Sequence, residues 1–309
     1  MGKSKRSGKH RPKQKARPQS KWTLLDQYSA DDFYRWKNFG DKYLKFHWDY
    51  YNSLAYQRSK IMEELKRSLR EAATPNFEFI KWQRVLRYRY SLKPFSVAGS
   101  LVDPGGRFNI GDINPSQFAP FPALYVAAHK DTALQELLCQ KIEAGKEEQA
   151  LDFALVDATS ITNVSLSGRL DSIIDLRESH RLQPFIDLIK NFTIPDHLIK
   201  TAKEIGERID LIKTVPVLTE ALLIPHWRLW PMQFDVPAAS QILGQLVADA
   251  GIEGILYPSK FTSRECLAIF PQNFHATDSF VELDDEPPSE NNMRRLDGTT
   301  WRTHQDELL

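Results

Sequence analysis

At Thr74-Pro75 the chain changes texture, and that change limits the folds open to it. Upstream, from Trp22 to Ala73, apolar residues recur at helical spacing. Tyr34, Trp36, Phe39, Tyr43, Phe46 and Tyr50 form an aromatic stripe, followed by Ile61, Leu65 and Leu69. Downstream, from Phe77, short apolar runs separated by glycine and proline take over. Gln83–Tyr90 is strand-like, Pro104-Gly105-Gly106 is a turn, and Ala123–Ala127 is a short apolar strand. Asp131 is placed to cap a helix running through Ala144 to Gly145. Leu151–Ala158 alternates as a strand does, and residues 171–212 read as mostly helical, broken at Pro184 and Pro195. A helix at Ala238–Ala250 closes at Gly251, and strands follow at Ile252–Tyr257 and Cys266–Phe270. Strands and helices without regular βαβ alternation predict an α+β fold with a mixed sheet, not a doubly wound one.

Charge divides the 309-residue chain unevenly. The formal net charge is +1, yet residues 1–21 hold nine Lys or Arg and no acid, which leaves the remainder at about −8. That basic arm is too poor in apolar residues to offset the entropy of ordering, so it is expected to be disordered. Together with the aromatic stripe, whose rings could stack on bases, it leaves open a non-enzymatic nucleic-acid-binding protein as an alternative function, although the arm alone would give only weak, salt-sensitive contact. From about Asp284 the chain is polar again, carries Pro287-Pro288, and reads as a loose tail. The expected organisation is therefore an arm (1–21), a helical extension (22–75), a catalytic domain (76–283) and a tail (284–309). No signal peptide and no apolar run of membrane-spanning length are visible, which predicts a soluble, cytoplasmic protein. Cys139 and Cys266 lie far apart in apolar surroundings and read as buried reduced thiols. No Cys/His cluster has the spacing of a metal site, and no GxGxxG turn is present.

Four stretches carry residues suited to chemistry: Trp82-Gln83-Arg84-Val85-Leu86, Gly105-Gly106-Arg107-Phe108-Asn109, Pro122–Ala128 with Thr132–Leu137, and Gly251–Ser259. Taken singly, their residues have ordinary readings. Arg84 stands with Arg87 and Arg89 as on one face of a solvated strand, Arg107 closes a turn, and Tyr125 belongs to a core strand. Glu136 lies on a helix surface, and Ser259 after Pro258 caps a loop. In this order and spacing, however, the stretches resemble the RES domain of toxin–antitoxin systems, a family named for its Arg, Glu and Ser. Its members show an arginine in the first strand, a GGRWN-like turn, an ALYLA-like strand before a TALxE helix, and a strand ending in YPS. The matching positions are Arg84, Arg107, Tyr125, Glu136 and Ser259.

The resemblance implies a fold related to ADP-ribosyltransferase toxins and an activity on NAD. Members hydrolyse or phosphorolyse NAD, or transfer ADP-ribose to a protein, and are held inactive by a cognate antitoxin. NAD would be the substrate, with no separate cofactor. Under it, Arg84 and Arg107 bind the pyrophosphate through charge-assisted hydrogen bonds, with Arg107 also at the catalytic centre. Glu136 stabilises the cation that develops on the ribose. Tyr125 stacks on the nicotinamide, and Ser259, also counted at the catalytic centre, hydrogen-bonds the ribose or the amide. The chain departs from the family in four places. Phe108 replaces tryptophan, and Ile110–Phe121 is long. The Glu136–Ser259 interval is expected to hold an inserted helical subdomain at about 160–235, and the first 75 residues have no counterpart. His129 beside Lys130 reads as a surface turn residue, with general acid the rarer alternative, and no motif places His226-Trp227.

Overall fold

A computed structural model describes residues 30–138, 161–287, 289–290 and 293–309. The arm at 1–21, Cys139 and the expected strand at 151–158 lie outside the described residues, as does the helical stretch expected from 139 to 144. The chain divides into two compact units, residues 1–43 and 44–309. Helix α1 (Ala30–Lys60) begins in the first. Within that unit, Phe39 and Tyr43 stack with ring centroids 6.0 Å apart. Every other element belongs to the second.

There, α2 (Met62–Ala72) buries Leu65, Ser68, Leu69 and Ala72 at i, i+3, i+4 and i+7; of the series Ile61, Leu65 and Leu69 that the sequence predicts, Ile61 precedes the helix and is partly buried. The part of the aromatic stripe that lies on α1 beyond residue 43 divides its roles. Phe46 is buried, whereas Tyr50, stacked on it at 6.0 Å, is half-buried and donates its hydroxyl to Asp210 O at 3.2 Å. Strand β1 (Thr74–Arg87) starts directly after α2, nine residues before the strand expected at Gln83, and ends in a 3-10 turn at Tyr88–Tyr90. Its register slips between Phe79 and Trp82, with Lys81 at φ 56°. That bulge keeps both aromatic side chains on one buried face where strict alternation would separate them.

Next come α3 (Ala98–Leu101), the hairpin β2 (Gly105–Gly106) and β3 (Asn109–Ile110), β4 (Leu124–Ala127) and α4 (Lys130–Leu138). The first correction to the sequence reading is β5 (Ile161–Asp175). This strand opens the region expected to be a helical insertion and covers the start of the span read as helical from 171. Val164, Leu166, Gly168 and Leu170 alternate with Ser165, Ser167, Arg169 and Asp171, a period of two. Helices follow only afterwards: α5 (Gln183–Ile189), α6 (Asp196–Ile205), α7 (Val215–Leu222), α8 (Leu229–Phe234) and α9 (Ala239–Asp249). Pro184 sits in the first turn of α5 and Pro195 just before α6, so both prolines start helices instead of breaking one.

Strands β6 (Gly254–Pro258), β7 (Glu265–Ile269), β8 (Phe280–Leu283) and β9 (Arg295–Asp297) complete the sheet, ordered β1-β4-β7-β6-β5-β8-β9. β1 also pairs with β5, so five strands close on themselves. β5 and β6 are parallel and the other pairs antiparallel, giving the mixed sheet of an α+β fold. Side chains alternate between two apolar clusters. Ala123, Ala127, Ile255, Tyr257, Cys266 and Ala268 join one with α2, α5, α7 and α9, while Leu124, Val126, Leu256, Leu267 and Ile269 join the other.

The loose tail expected from 284 is the second correction. β9 pairs with β8, Asp297 caps α10 (Gly298–Thr303) by accepting from Thr299 N and Thr300 N, and α11 (Gln305–Leu308) follows. Leu296, Trp301 and Leu308 are few, but all three are buried. Among the described residues no helix is long and apolar enough to cross a membrane.

Candidate active site

The tight turn between β2 and β3 is built from residues that only this packing explains. Gly105 has φ +91°, and a Cβ on Gly106 would lie 2.3 Å from Tyr125 Oη. Asn109 is fully buried; its Oδ1 accepts from Gly106 N and from Tyr125 Oη, each at 2.9 Å. Its Nδ2 donates to Ser100 O at 2.7 Å and Phe121 O at 2.9 Å. Gln241 Nε2, from α9, reaches Pro104 O, Asn109 O and Gly106 O at 2.7, 3.0 and 3.2 Å. A Cβ on Gly244 would meet Phe108 O at 1.9 Å, so α9 lies directly on the turn. Phe108, where the family has tryptophan, is fully buried against Tyr257 with ring centroids 4.8 Å apart.

This frame presents Arg107 inward. Its side chain is 4% exposed, Nη1 donates to Ile224 O at 2.9 Å, and Nη2 lies 3.9 Å from Glu136 Oε2. Nε has no partner among the described residues. The Glu136 side chain is 16% exposed. α4 is anchored by buried Thr132, Leu134 and Gln135, and Thr132 Oγ1 bonds Thr262 Oγ1 at 2.9 Å. Leu137, which the helical pattern places on the anchored face, is 38% exposed. The carboxylate is thus on a helix fixed from its first turn, beside a buried cation.

Arg107 and Glu136 line a cavity of about 410 Å³ together with Arg84 and Tyr125. Arg84 Nη2 donates to Ser96 O at 2.6 Å, and Nη1 is buried without a partner among the described residues. Burial pushes its pKa down to about 10, which leaves it charged at neutral pH. Trp227 and Arg228, which no motif singles out, also line the cavity. Arg228 is half-buried over the Trp227 ring at 4.8 Å, and burial first, then the charge of Arg107, lowers its pKa. With Arg87 and Arg89 at the rim, five guanidiniums face two carboxylates, Glu136 and Asp103. Such a cavity favours a ligand with concentrated negative charge.

Tyr125 Oη is fully engaged, donating to Asn109 and accepting from Phe108 N at 2.9 Å, so only its ring is available to a ligand. Burial raises the phenol pKa, and likewise that of Tyr257 and of the Cys266 thiol, so none of the three supplies an anion at neutral pH. Cys266 is free and buried.

Ser259 is not brought into this lining. It lies one residue beyond β6, 2% exposed, with Oγ accepting from Phe261 N at 3.1 Å and N donating to Arg264 O at 2.7 Å. It caps the turn at 259–264, the turn whose Thr262 pins α4. His129 and His226 are exposed and line no part of the cavity.

Comparison with known proteins gives a family match over residues 81–289, to the model described as "RES domain". No curated protein matches the sequence. Among solved structures, one chain of the crystal structure of the M. tuberculosis MbcT–MbcA toxin–antitoxin complex aligns at 14% identity and a TM-score of 0.39. The alignment covers 74% of this chain and 93% of that one.

Proposed function

This chain belongs to the RES domain family, and from that premise we propose that it cleaves NAD at the bond between nicotinamide and ribose. The observation that carries the reading is the cavity itself, in which buried Arg107 and half-buried Arg84 and Arg228 surround one fixed carboxylate, Glu136. Arg84 and Arg228 hold the pyrophosphate, because guanidinium groups bind phosphate oxygens through paired, charge-assisted hydrogen bonds. Arg107 is largely committed to Ile224 O and to its place beside Glu136, so it sets the carboxylate and adds positive potential. The face of Tyr125 stacks on the nicotinamide. As the glycosidic bond breaks, its electron pair leaves with nicotinamide and positive charge builds on the ribose. Glu136 stabilises that charge without reorganising. Ser259 contributes by fixing the turn that holds α4, in place of the direct ribose contact that the family pattern implies.

Water or phosphate then accepts the ADP-ribosyl group, giving ADP-ribose or its 1-phosphate. Transfer to a macromolecule is the second reading, because it shares the cleavage step. An enzyme with this activity needs restraint in its host, so a cognate antitoxin partner is part of the proposal, as is a cytoplasmic location where NAD is plentiful. The test is incubation of the purified protein with NAD, with and without phosphate, followed by mass spectrometry of the products. ADP-ribose in both arms assigns hydrolysis, and a phosphate-dependent ADP-ribose phosphate assigns phosphorolysis. Intact NAD in both arms sinks the reading.

A further inference from the structure

Among the described residues the half-buried Arg84 side chain makes one hydrogen bond, from Nη2 to Ser96 O at 2.6 Å, and its Nη1 is buried. The geometry of that carbonyl therefore decides where the guanidinium points. Ser96 lies in the segment Phe95–Val97, whose three residues are all buried. The described partners of that segment come partly from far along the chain. Val97 N donates to Leu308 O at 2.8 Å, and Ser96 Oγ donates to the same oxygen at 3.2 Å. The Leu308 side chain is buried in one cluster with Phe95 and Val97. One carbonyl on α11 thus takes both hydrogen bonds, and its side chain anchors the contact from the apolar side. These residues lie outside the stretch matched by the family, which ends at residue 289.

We propose that segment 305–309 is a latch that positions Arg84 for the pyrophosphate of the dinucleotide. Leu308 is a positioning residue in this scheme; it acts on substrate only through Ser96 and Arg84. The assignment of Arg84 to substrate rests on the function proposed above, while the mechanical link from Leu308 to Arg84 does not. Releasing the latch frees the Ser96 carbonyl to move and lets the arginine sample other directions, which weakens binding of the ground state and the transition state alike. Such a loss appears in KM with kcat preserved.

Two readouts test this on the full-length chain. The first needs no NAD: the rate at which phenylglyoxal modifies Arg84, followed by peptide mass mapping. In Leu308→Ala that rate rises about fivefold or more, because local opening exposes the guanidinium. The second is steady-state NAD cleavage. Leu308→Ala raises KM about tenfold with kcat within about twofold, and Leu308→Met restores both. In an Arg84→Ala background the same substitution adds no further rise in KM, as two changes acting through one contact are not additive. Should Leu308→Ala fail to fold, Ser96→Ala removes the 3.2 Å bond to Leu308 O, together with the 3.3 Å bond that Ser96 Oγ accepts from Ala98 N, and leaves Val97 N on Leu308 O; smaller shifts in the same directions are expected. Unchanged Arg84 labelling in a folded variant overturns the latch. So does a KM rise of equal size with and without Arg84. A wild-type protein inert toward NAD refutes the proposed function alone, and the labelling then still decides the latch.

Discussion

Replacing Glu136 with Gln keeps the shape of the side chain and removes its charge. The carboxylate is 16% exposed and lies on a helix pinned by the Thr132–Thr262 bond, so water does little to screen it and it cannot swing away. A unit charge about 4 Å from a developing ribosyl cation contributes about 4 kcal/mol at an effective dielectric constant of about 20. Full charge is not reached in the transition state, and Gln retains a dipole, so a loss of about 3 kcal/mol is expected. That corresponds to a fall in kcat of about a hundredfold or somewhat more. NAD affinity should change little, since Arg84 and Arg228 are the groups proposed to hold the pyrophosphate. The stability cost should be no more than about 1 kcal/mol, a shift in Tm of about 2–4 °C. Arg107 keeps its carbonyl partners, and its contact with Glu136, at 3.9 Å, is longer than a hydrogen bond. The assay pairs steady-state NAD loss with calorimetric titration of the variant. Near-wild-type kcat in Glu136→Gln would refute the assignment.

Other consequences follow from the same geometry. Arg228→Ala should raise KM for NAD about tenfold and reduce its salt dependence, with kcat nearly kept; unchanged KM at low salt removes Arg228 from the binding set. Gly106→Ala should abolish activity and lower stability by several kcal/mol, on the order of an overpacked core, because the new Cβ meets Tyr125 Oη; a thermal melt matching wild type contradicts this. Tyr125→Phe leaves Phe108 N without its acceptor and should cost about 1–3 kcal/mol by urea unfolding, whereas a neutral result shows the turn stands without the phenol. His47, 4% exposed and stacked on Phe234 at 3.8 Å, has its pKa lowered by burial, with Glu207 opposing. The unfolded chain therefore takes up the proton first, and stability should fall as pH drops below about 6.5. His47→Phe should flatten that slope, and an unaltered slope assigns it to another group.

The lining of the candidate site is more legible in the sequence than the topology is. Arg84, Arg107, Tyr125 and Glu136 are legible because each sits in a short motif next to a glycine turn or a strand end, and the structure gathers all four in one cavity. Ser259 is equally visible as a motif residue, yet its hydroxyl serves the turn, a role that the position after Pro258 also suggested. Arg228 and Gln241 are illegible for the opposite reason. Each acts through long-range contact, over the Trp227 ring or across to the carbonyls of residues 104–109, and no local spacing encodes it. β5 escapes although serines, Arg169 and Asp171 alternate with its apolar residues, because Gly168 sits mid-strand in place of a large apolar residue and the strand's last five residues run into the stretch that reads as helical. The end of the chain misleads because Leu296, Trp301 and Leu308 are too sparse to form a pattern, although each finds a buried place.

Proton NMR of NAD mixed with wild-type protein observes which bond breaks. Release of free nicotinamide in step with loss of NAD, and its near absence with Glu136→Gln, is the predicted result. NAD that stays intact, or that splits at the pyrophosphate into two mononucleotides, contradicts the account.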